Sequence, residues 1–410
     1  MDLLINNARL RHRDGLFQIL IDRGKIRELR HAGFGTATIP EADRVLDAGG
    51  NLVTESYCNA HLHLCKVWTL QMMDEAALKD YHGSDMGRAM TAIELAARVK
   101  ERYDESWIVE NVRKAVRLAA RHGNLHIRAF ADVDRKARLE GVKALIRARE
   151  EFRGKVDIQV VAFPQDGVVR EPGAAELVRE AMKLGADVVG GIPWIEYTDE
   201  DARSHVQQMV TLAREFDRDV SMLVDDAGDA TLRTLEMLAV EVLRQGREGR
   251  ALAQHARAMC LYPKPYFQKL VALLKKTAIG VVTDPQTGPL HARVKELLEE
   301  GVLVCLGQDD ISDAYYPYGR NNMLEVAFLA SHLLWMTTAG EMETLYDMVT
   351  VNGARAMNVP RFGLQEGNDA HLVVLGAESV LEALRGQEPP RYVVSHGRLL
   401  AENRSEHCVY

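Results

Sequence analysis

Asn59-Ala60-His61-Leu62-His63-Leu64 closes an apolar run, residues 52–61, that reads as a β-strand. Side chains alternate faces along a strand, so residues two apart project the same way, and His61 and His63 can grip one metal ion. The spacing alone is a weak signal, because a chain of 410 residues carrying 14 histidines can place a pair two apart by chance. What the pair means depends on the pattern around it.

Downstream of it the pattern repeats as apolar strand, polar loop and long amphipathic helix. Strand candidates fall at 52–61, 125–133, 158–163, 187–192, 220–225, 251–255, 279–283 and 302–306. Eight strands with intervening helices predict an α/β fold, a closed (β/α)8 TIM barrel rather than an open sheet. Upstream, short extended segments such as 17–21 are broken by Asp-Gly and Arg-Gly turns, and after the barrel 371–375 and 391–394 return to β structure around Gly397. The two chain ends are expected to pair into one small β-sandwich, from 1–54 and 358–410, around a barrel spanning 55–357.

Composition fits an ordinary globular chain, with 47% apolar and 27% charged residues. The formal net charge of -8, and the absence of any Lys/Arg run, argue against a nucleic-acid partner and favour a small uncharged or weakly basic ligand. The opening Met1–Asn6 lacks a charged segment followed by a long apolar one, and no stretch is long enough to span a membrane, so a cytoplasmic location is expected. Cys58, Cys65, Cys260, Cys305 and Cys408 are scattered without a CxxC, which indicates neither a disulfide framework nor a structural zinc module.

In a barrel of parallel strands the chemistry collects at the C-terminal strand ends. Strand one ends in His61 and His63, strand three in Pro164-Gln165-Asp166, strand five in Asp225 and Asp226, strand six in Gln254-His255, and strand eight in Gln308-Asp309-Asp310. Two histidines plus a carboxylate fit a hydrolytic metal site with an open position for water.

These stretches, with Val160-Val161-Ala162-Phe163-Pro164-Gln165-Asp166-Gly167, Gly185-Ala186-Asp187-Val188-Val189-Gly190 and Tyr316-Pro317, resemble the amidohydrolase superfamily, in its cytosine deaminase and isopropylammelide aminohydrolase branch. The resemblance covers nearly the whole chain. It implies that His61, His63 and Asp309 hold one divalent transition metal, zinc or iron. It also implies that His255 orients the attacking hydroxide or the substrate, that Gln165 bonds a heterocycle, and that an acid at Asp226 shuttles protons.

Departures from the branch are concentrated at the site. Relatives carry a third metal histidine in a His-x-Asp-Glu run on strand five, where this chain reads Leu223-Val224-Asp225-Asp226. The family glutamate becomes Asp226, one methylene shorter. Cys65 stands where an aspartate is common and Phe130 where a histidine is common, and the segment Asp284-Pro285-Gln286-Thr287-Gly288-Pro289 is short. Asp225, on the same strand face as Leu223, His255, or water could fill the ligand position. Strand four has no lysine to bridge two ions, which argues against a binuclear site. Trp194, Tyr315 and Tyr316 can stack on a planar ring or simply pack. Lys66 is expected to face solvent, Asp310 to cap a loop, and His126 to be a satisfied barrel histidine; His12, His82 and His407 carry no signal.

The expected activity is metal-dependent aminohydrolysis of a C–N bond in a small nitrogen heterocycle, with Asp226, His255 and Asp309 catalytic and Gln165, Trp194 and Tyr315 at the substrate. The alternatives are a barrel that binds its ligand without turnover, having lost the strand-five histidine, and a cyclic amide hydrolase. The other zinc deaminase class uses HxE with PCxxC, and neither motif occurs. No membrane partner is expected, and a homo-oligomer is compatible with the sequence.

Overall fold

Ser56 is the point at which the chain leaves one sheet for another. The computed structural model describes residues 1–32, 41–73, 97–404 and 408; His82 and His407 lie outside them. The N-terminal strands are β1 (Leu3–Leu10), β2 (Phe17–Asp22), β3 (Lys25–His31), β4 (Arg44–Asp47) and β5 (Leu52–Glu55). The next eight are β6 (Tyr57–Leu62), β7 (Asn124–Asp132), β8 (Asp157–Phe163), β9 (Val188–Gly191), β10 (Asp219–Val224), β11 (Ala251–His255), β12 (Gly280–Thr283) and β13 (Val304–Leu306). β14 (Leu372–Val374), β15 (Tyr392–Ser395) and β16 (Arg398–Glu402) end the chain.

The apolar run expected as one strand is two, β5 and β6. β5 pairs antiparallel with β14, and the Ser56 N–H donates to the His371 carbonyl, while the next N–H, of Tyr57, donates to Gly123 at the start of the barrel. One residue therefore carries the chain from the small sheet into the barrel. Both ends of the sequence meet in that small sheet, in the order β16-β15-β14-β5-β1-β2-β3 with β4 beside β1. Its core is Leu3, Ile5, Ile19, Ile21, Val53, Leu372 and Val374, drawn from both ends of the chain. Burying each such side chain contributes about 1.5–3 kcal/mol.

β6 to β13 run parallel in sequence order, forming a (β/α)8 TIM barrel. Closure is made by a parallel bridge between Leu62 and Asp309: the Asp309 N–H donates to His61 O at 2.9 Å and the His63 N–H to Asp309 O at 2.8 Å. All nine residues of β7 are buried, as strands covered on both faces must be. The helix Glu105–His122 shows how the outer layer is specified. Asp104 caps it by accepting from Ser106 N–H, and Ile108, Val109, Val112, Ala115, Val116 and Ala119 form its buried stripe. Gly123 ends it at φ 75°, and a Cβ there would lie 2.4 Å from Val373 of β14, so the small sheet also needs this glycine. Among the described residues no helix is long and apolar enough to cross a membrane.

Candidate metal centre and active site

Barrel closure is what assembles the centre. β6 stops at Leu62, so His63 is not a strand residue as the alternation rule implied; its backbone bond to Asp309 holds it in place instead. The His61 Nε2 lies 3.0 Å from Asp309 Oδ1, and the His63 Nε2 lies 3.7 Å from the same oxygen. All three residues are buried, and their donor atoms fall within 4.8 Å of one another. Burial pushes the His61 pKa below its ordinary value against the pull of Asp309; it pushes His63 well below, helped by Lys66 and His61. Burial alone would raise Asp309, but His255, the hydrogen bond with Asp284 and the bond with His61 hold it well below the usual carboxylate range. Neutral imidazoles beside an ionised carboxylate are the ligating forms, and these residues fit a divalent transition metal. Neither Nδ1 has a hydrogen-bond partner among the described residues. Ring orientation is set by packing, with Phe130 at 4.4 Å from His61 and 5.4 Å from His63.

The strand-five position is apolar throughout. Leu223, 3% exposed, belongs to a cluster with Phe130, Val161, Phe163, Val188, Ile192 and Ile195, against which Trp194 packs. Asp225 does not replace the missing ligand, contrary to the expectation from strand alternation. β10 ends at Val224 and Asp225 takes φ 48°, which turns its carboxylate away from the Leu223 face. There Oδ1 accepts from the backbone N–H and the hydroxyl of Thr234, and Oδ2 from the Tyr262 hydroxyl at 2.6 Å. Cys65 is buried, its sulfur accepting from Asp132 N–H at 3.3 Å.

Next to this candidate metal-binding group is a second one, formed by His255, Asp284 and Asp309. His255 Nδ1 is 2.8 Å from Asp284 Oδ1, and its Nε2 is 3.9 Å from Asp226 Oδ2. Burial would lower the His255 pKa, but Asp226 and Asp284 outweigh it and raise it to about 9. Arg257, two residues further on, donates to Asp226 Oδ1 at 2.8 Å, to Thr287 Oγ1 at 2.6 Å and to Asp284 Oδ2 at 3.3 Å, and comes within 3.6 Å of Asp309. Sequence reasoning missed Arg257, Asp284 and Thr287 as site residues. Extending the strand-end inventory two residues past His255 would have brought in Arg257.

Across the mouth, Lys66 is buried rather than facing solvent. It donates to Gln165 Oε1, pairs with Asp132 at 3.4 Å and lies 5.1 Å from the Tyr315 ring. The loop after His63 is short and helical over Leu64–Lys66, which folds the side chain inward. Burial would lower the Lys66 pKa, but Asp132 and other nearby acids raise it above its usual value. Gln165 Nε2 donates to the Tyr315 hydroxyl at 3.4 Å, so two of the expected substrate residues meet around one lysine. Asp310 is no loop cap: burial, Asp309 and Asp313 raise its pKa well above normal, and it is Asp313 that does the capping at Tyr315 and Tyr316. Trp194 packs at the edge of the apolar wall, its Nε1 without a partner among the described residues.

Comparison with known proteins places this geometry. The chain is 28% identical over 403 residues to N-isopropylammelide isopropyl amidohydrolase of Pseudomonas sp. (strain ADP), covering 98% of each. The solved structure of 5-methylcytosine deaminase from Klebsiella pneumoniae with 5-fluorocytosine superposes with a TM-score of 0.89 at 30% identity, covering 99% of both chains. N-isopropylammelide isopropylaminohydrolase from Burkholderia multivorans follows at a TM-score of 0.83 and 25% identity, covering 98% of this chain and 99% of that one. The names of all three are those of enzymes that hydrolyse C–N bonds. With the family model matching residues 44–401, and with imidazoles and a carboxylate gathered where the barrel closes, the chain belongs to the amidohydrolase family.

Proposed function

We propose that this enzyme removes an amino group from a small nitrogen heterocycle by hydrolysing a ring-carbon C–N bond. The observation that carries this reading is the convergence of His61, His63 and Asp309 at the mouth of the barrel, beside Asp226 and His255. A divalent transition ion, zinc or iron, held by those three residues would supply a water acidic enough to lose its proton near pH 7. In this scheme Asp309 would accept that proton, and His255 would orient the water. Asp226 would carry the proton lost by the water on to the leaving amine, so that a C–O bond forms, the C–N bond breaks and the amine leaves neutral. Arg257 fixes Asp226 through its 2.8 Å bond. His255, tied to Asp284 by Nδ1, serves as an orienting donor in this scheme rather than as a ligand.

The substrate would lie between the apolar wall of Phe130, Phe163, Leu223 and Trp194 and the polar strap of Gln165, Lys66 and Tyr315. A planar, mostly uncharged ring with one hydrogen-bonding edge suits those two sides. The apolar wall distinguishes it from a site that surrounds its ring with polar groups.

The test is amine release from a panel of aminopyrimidines, aminotriazines and pterins by metal-replete protein, with elemental analysis of the same sample. Turnover is expected on at least one ring class. About one transition-metal ion per chain is expected at this centre. His61→Ala should lose that ion and the activity together. No turnover across the panel by fully metallated protein would favour binding without catalysis, and activity unchanged in His61→Ala would overturn the site.

A further inference from the structure

At the opposite end of the barrel from the metal centre, four more metal-binding side chains meet. His126 lies near the start of β7 and pairs in register with Asp157, the first residue of β8. His371 immediately precedes β14, and His396 sits in the turn between β15 and β16. Two come from the barrel floor and two from the small sheet packed beneath it.

One ligand atom each from His126, Asp157 and His371 lies within 4.8 Å of the others. His126 Nδ1 is 3.8 Å from Asp157 Oδ2, and His396 Nε2 is 3.4 Å from that same oxygen. The His126 and His371 rings lie 4.8 Å apart and the His371 and His396 rings 4.4 Å apart, each pair edge to face. A tetrahedral zinc with bonds of about 2.0–2.1 Å holds its donors roughly 3.4 Å from one another. The two spacings to Asp157 Oδ2 are near that value, and the His126, Asp157 and His371 donors need close by no more than about 1.4 Å to reach it.

A second observation points the same way. His126 is 1% exposed, yet neither of its ring nitrogens has a hydrogen-bond partner among the described residues, and His371 Nδ1 has none either. Buried polar atoms are normally paired, and a histidine with both nitrogens bare is unusual in a core. It is not the satisfied barrel histidine that the sequence suggested. Asp157 and His396 have side chains 47% and 39% exposed, which gives an ion a way in from solvent.

We propose that His126, Asp157 and His371, with His396 as fourth donor, form a structural divalent-metal site of the zinc type that pins the small sheet to the floor of the barrel. The site is separate from the catalytic centre and takes no part in turnover. Its role is to tie strands from the two ends of the chain to β7 and β8, so that the metal stabilises the folded chain by binding it and not the unfolded one.

The experiment uses the full chain and zinc itself. Wild type and the double variant Asp157→Asn/His396→Gln, both changed at half-exposed positions, are equilibrated with zinc chloride, dialysed, and counted by elemental analysis. The variant is expected to hold one zinc fewer per chain than wild type, and its zinc-dependent rise in Tm should shrink by more than half. In the variant His61→Ala/His63→Ala, which removes the catalytic centre, zinc should still bind and raise Tm, and cobalt(II) should give the visible bands of a four-coordinate complex. Adding Asp157→Asn to it should weaken that binding by about tenfold or more. Equal zinc counts in wild type and Asp157→Asn/His396→Gln, or an His61→Ala/His63→Ala protein that folds and takes up no zinc, would overturn the proposal. Because the first comparison reads a difference in count, failure of the catalytic centre to bind zinc leaves it intact.

Discussion

Single residues decide whether this barrel can do chemistry, and Asp226 is the sharpest case. Its carboxylate is held between Arg257 at 2.8 Å and His255 at 3.9 Å. Asp226→Asn keeps the shape but removes the group that can move a proton, so kcat should fall by about a hundredfold or more with metal content unchanged. An Asn variant with wild-type kinetics would transfer the proton step to another group. Leu223 tests the opposite change. A histidine there would bury an imidazole among Phe130, Phe163 and Ile192, leaving polar nitrogens without partners at a cost of about 1–3 kcal/mol. Leu223→His is expected to denature at lower urea and to gain no cytosine deamination, because the wall around it is apolar as a unit. Tighter metal binding together with new activity on cytosine would show that only a ligand had been lost. At this scale the sequence was legible where a residue's neighbours follow from strand spacing, as with His61. It was not legible where a long side chain reaches sideways, as Arg257 does to β10, β12 and β13 strand ends, or where the backbone turns at φ 48°, as at Asp225.

Elements bring those residues together through one narrow junction, where β13 returns to β6. Gly307 follows β13 and passes His61 so closely that an added Cβ would sit 2.6 Å from the His61 Cβ and 3.2 Å from its carbonyl oxygen. Both contacts are with atoms that cannot swing aside. Gly307→Ala should therefore displace His61, lower the metal content measured by elemental analysis, and cost about 1–3 kcal/mol in urea denaturation. Gly340→Ala is the control: nothing lies within 4 Å of its added Cβ in the helix Ala339–Met348, and stability should hold or rise by up to about 1 kcal/mol. Equal metal content in both variants would mean that the closing bridge tolerates displacement of His61. The eight barrel strands were readable because each apolar run is bounded by polar loops and followed by a helical stripe. The change of sheet at Ser56 was not, since β5 and β6 are both almost wholly buried and the apolar run continues through the switch. Periodicity reports burial, and it cannot say against which sheet a residue is buried.

On the scale of the whole molecule, the two ends of the chain must hold together around a barrel of some three hundred residues, and a hydroxyl network marks where they do. Tyr346, fully buried in the helix Ala339–Met348, places its hydroxyl 2.7 Å from Thr54 Oγ1 of β5 and 3.2 Å from the Tyr57 hydroxyl of β6. Arg11, just past β1, covers its ring at 4.8 Å and pairs with Glu343 at 2.7 Å and Asp347 at 2.8 Å. Small sheet, barrel strand and outer helix thus share one tyrosine. Tyr346→Phe keeps the ring and removes the oxygen. Thr54 retains its bond to the Glu55 carbonyl at 2.9 Å, while the Tyr57 hydroxyl is left buried without a described partner. The expected cost is about 1–3 kcal/mol, read as a lower urea midpoint. Metal content and kcat should not change, because the network lies at the start of β6 and the candidate ligand His61 lies near its end. A seam that couples the two sheets should keep unfolding to a single transition in wild type and variant alike. If wild type instead unfolded in two steps, with the small sheet melting first, the sheets would be stable independently and Tyr346 would be a local packing contact only.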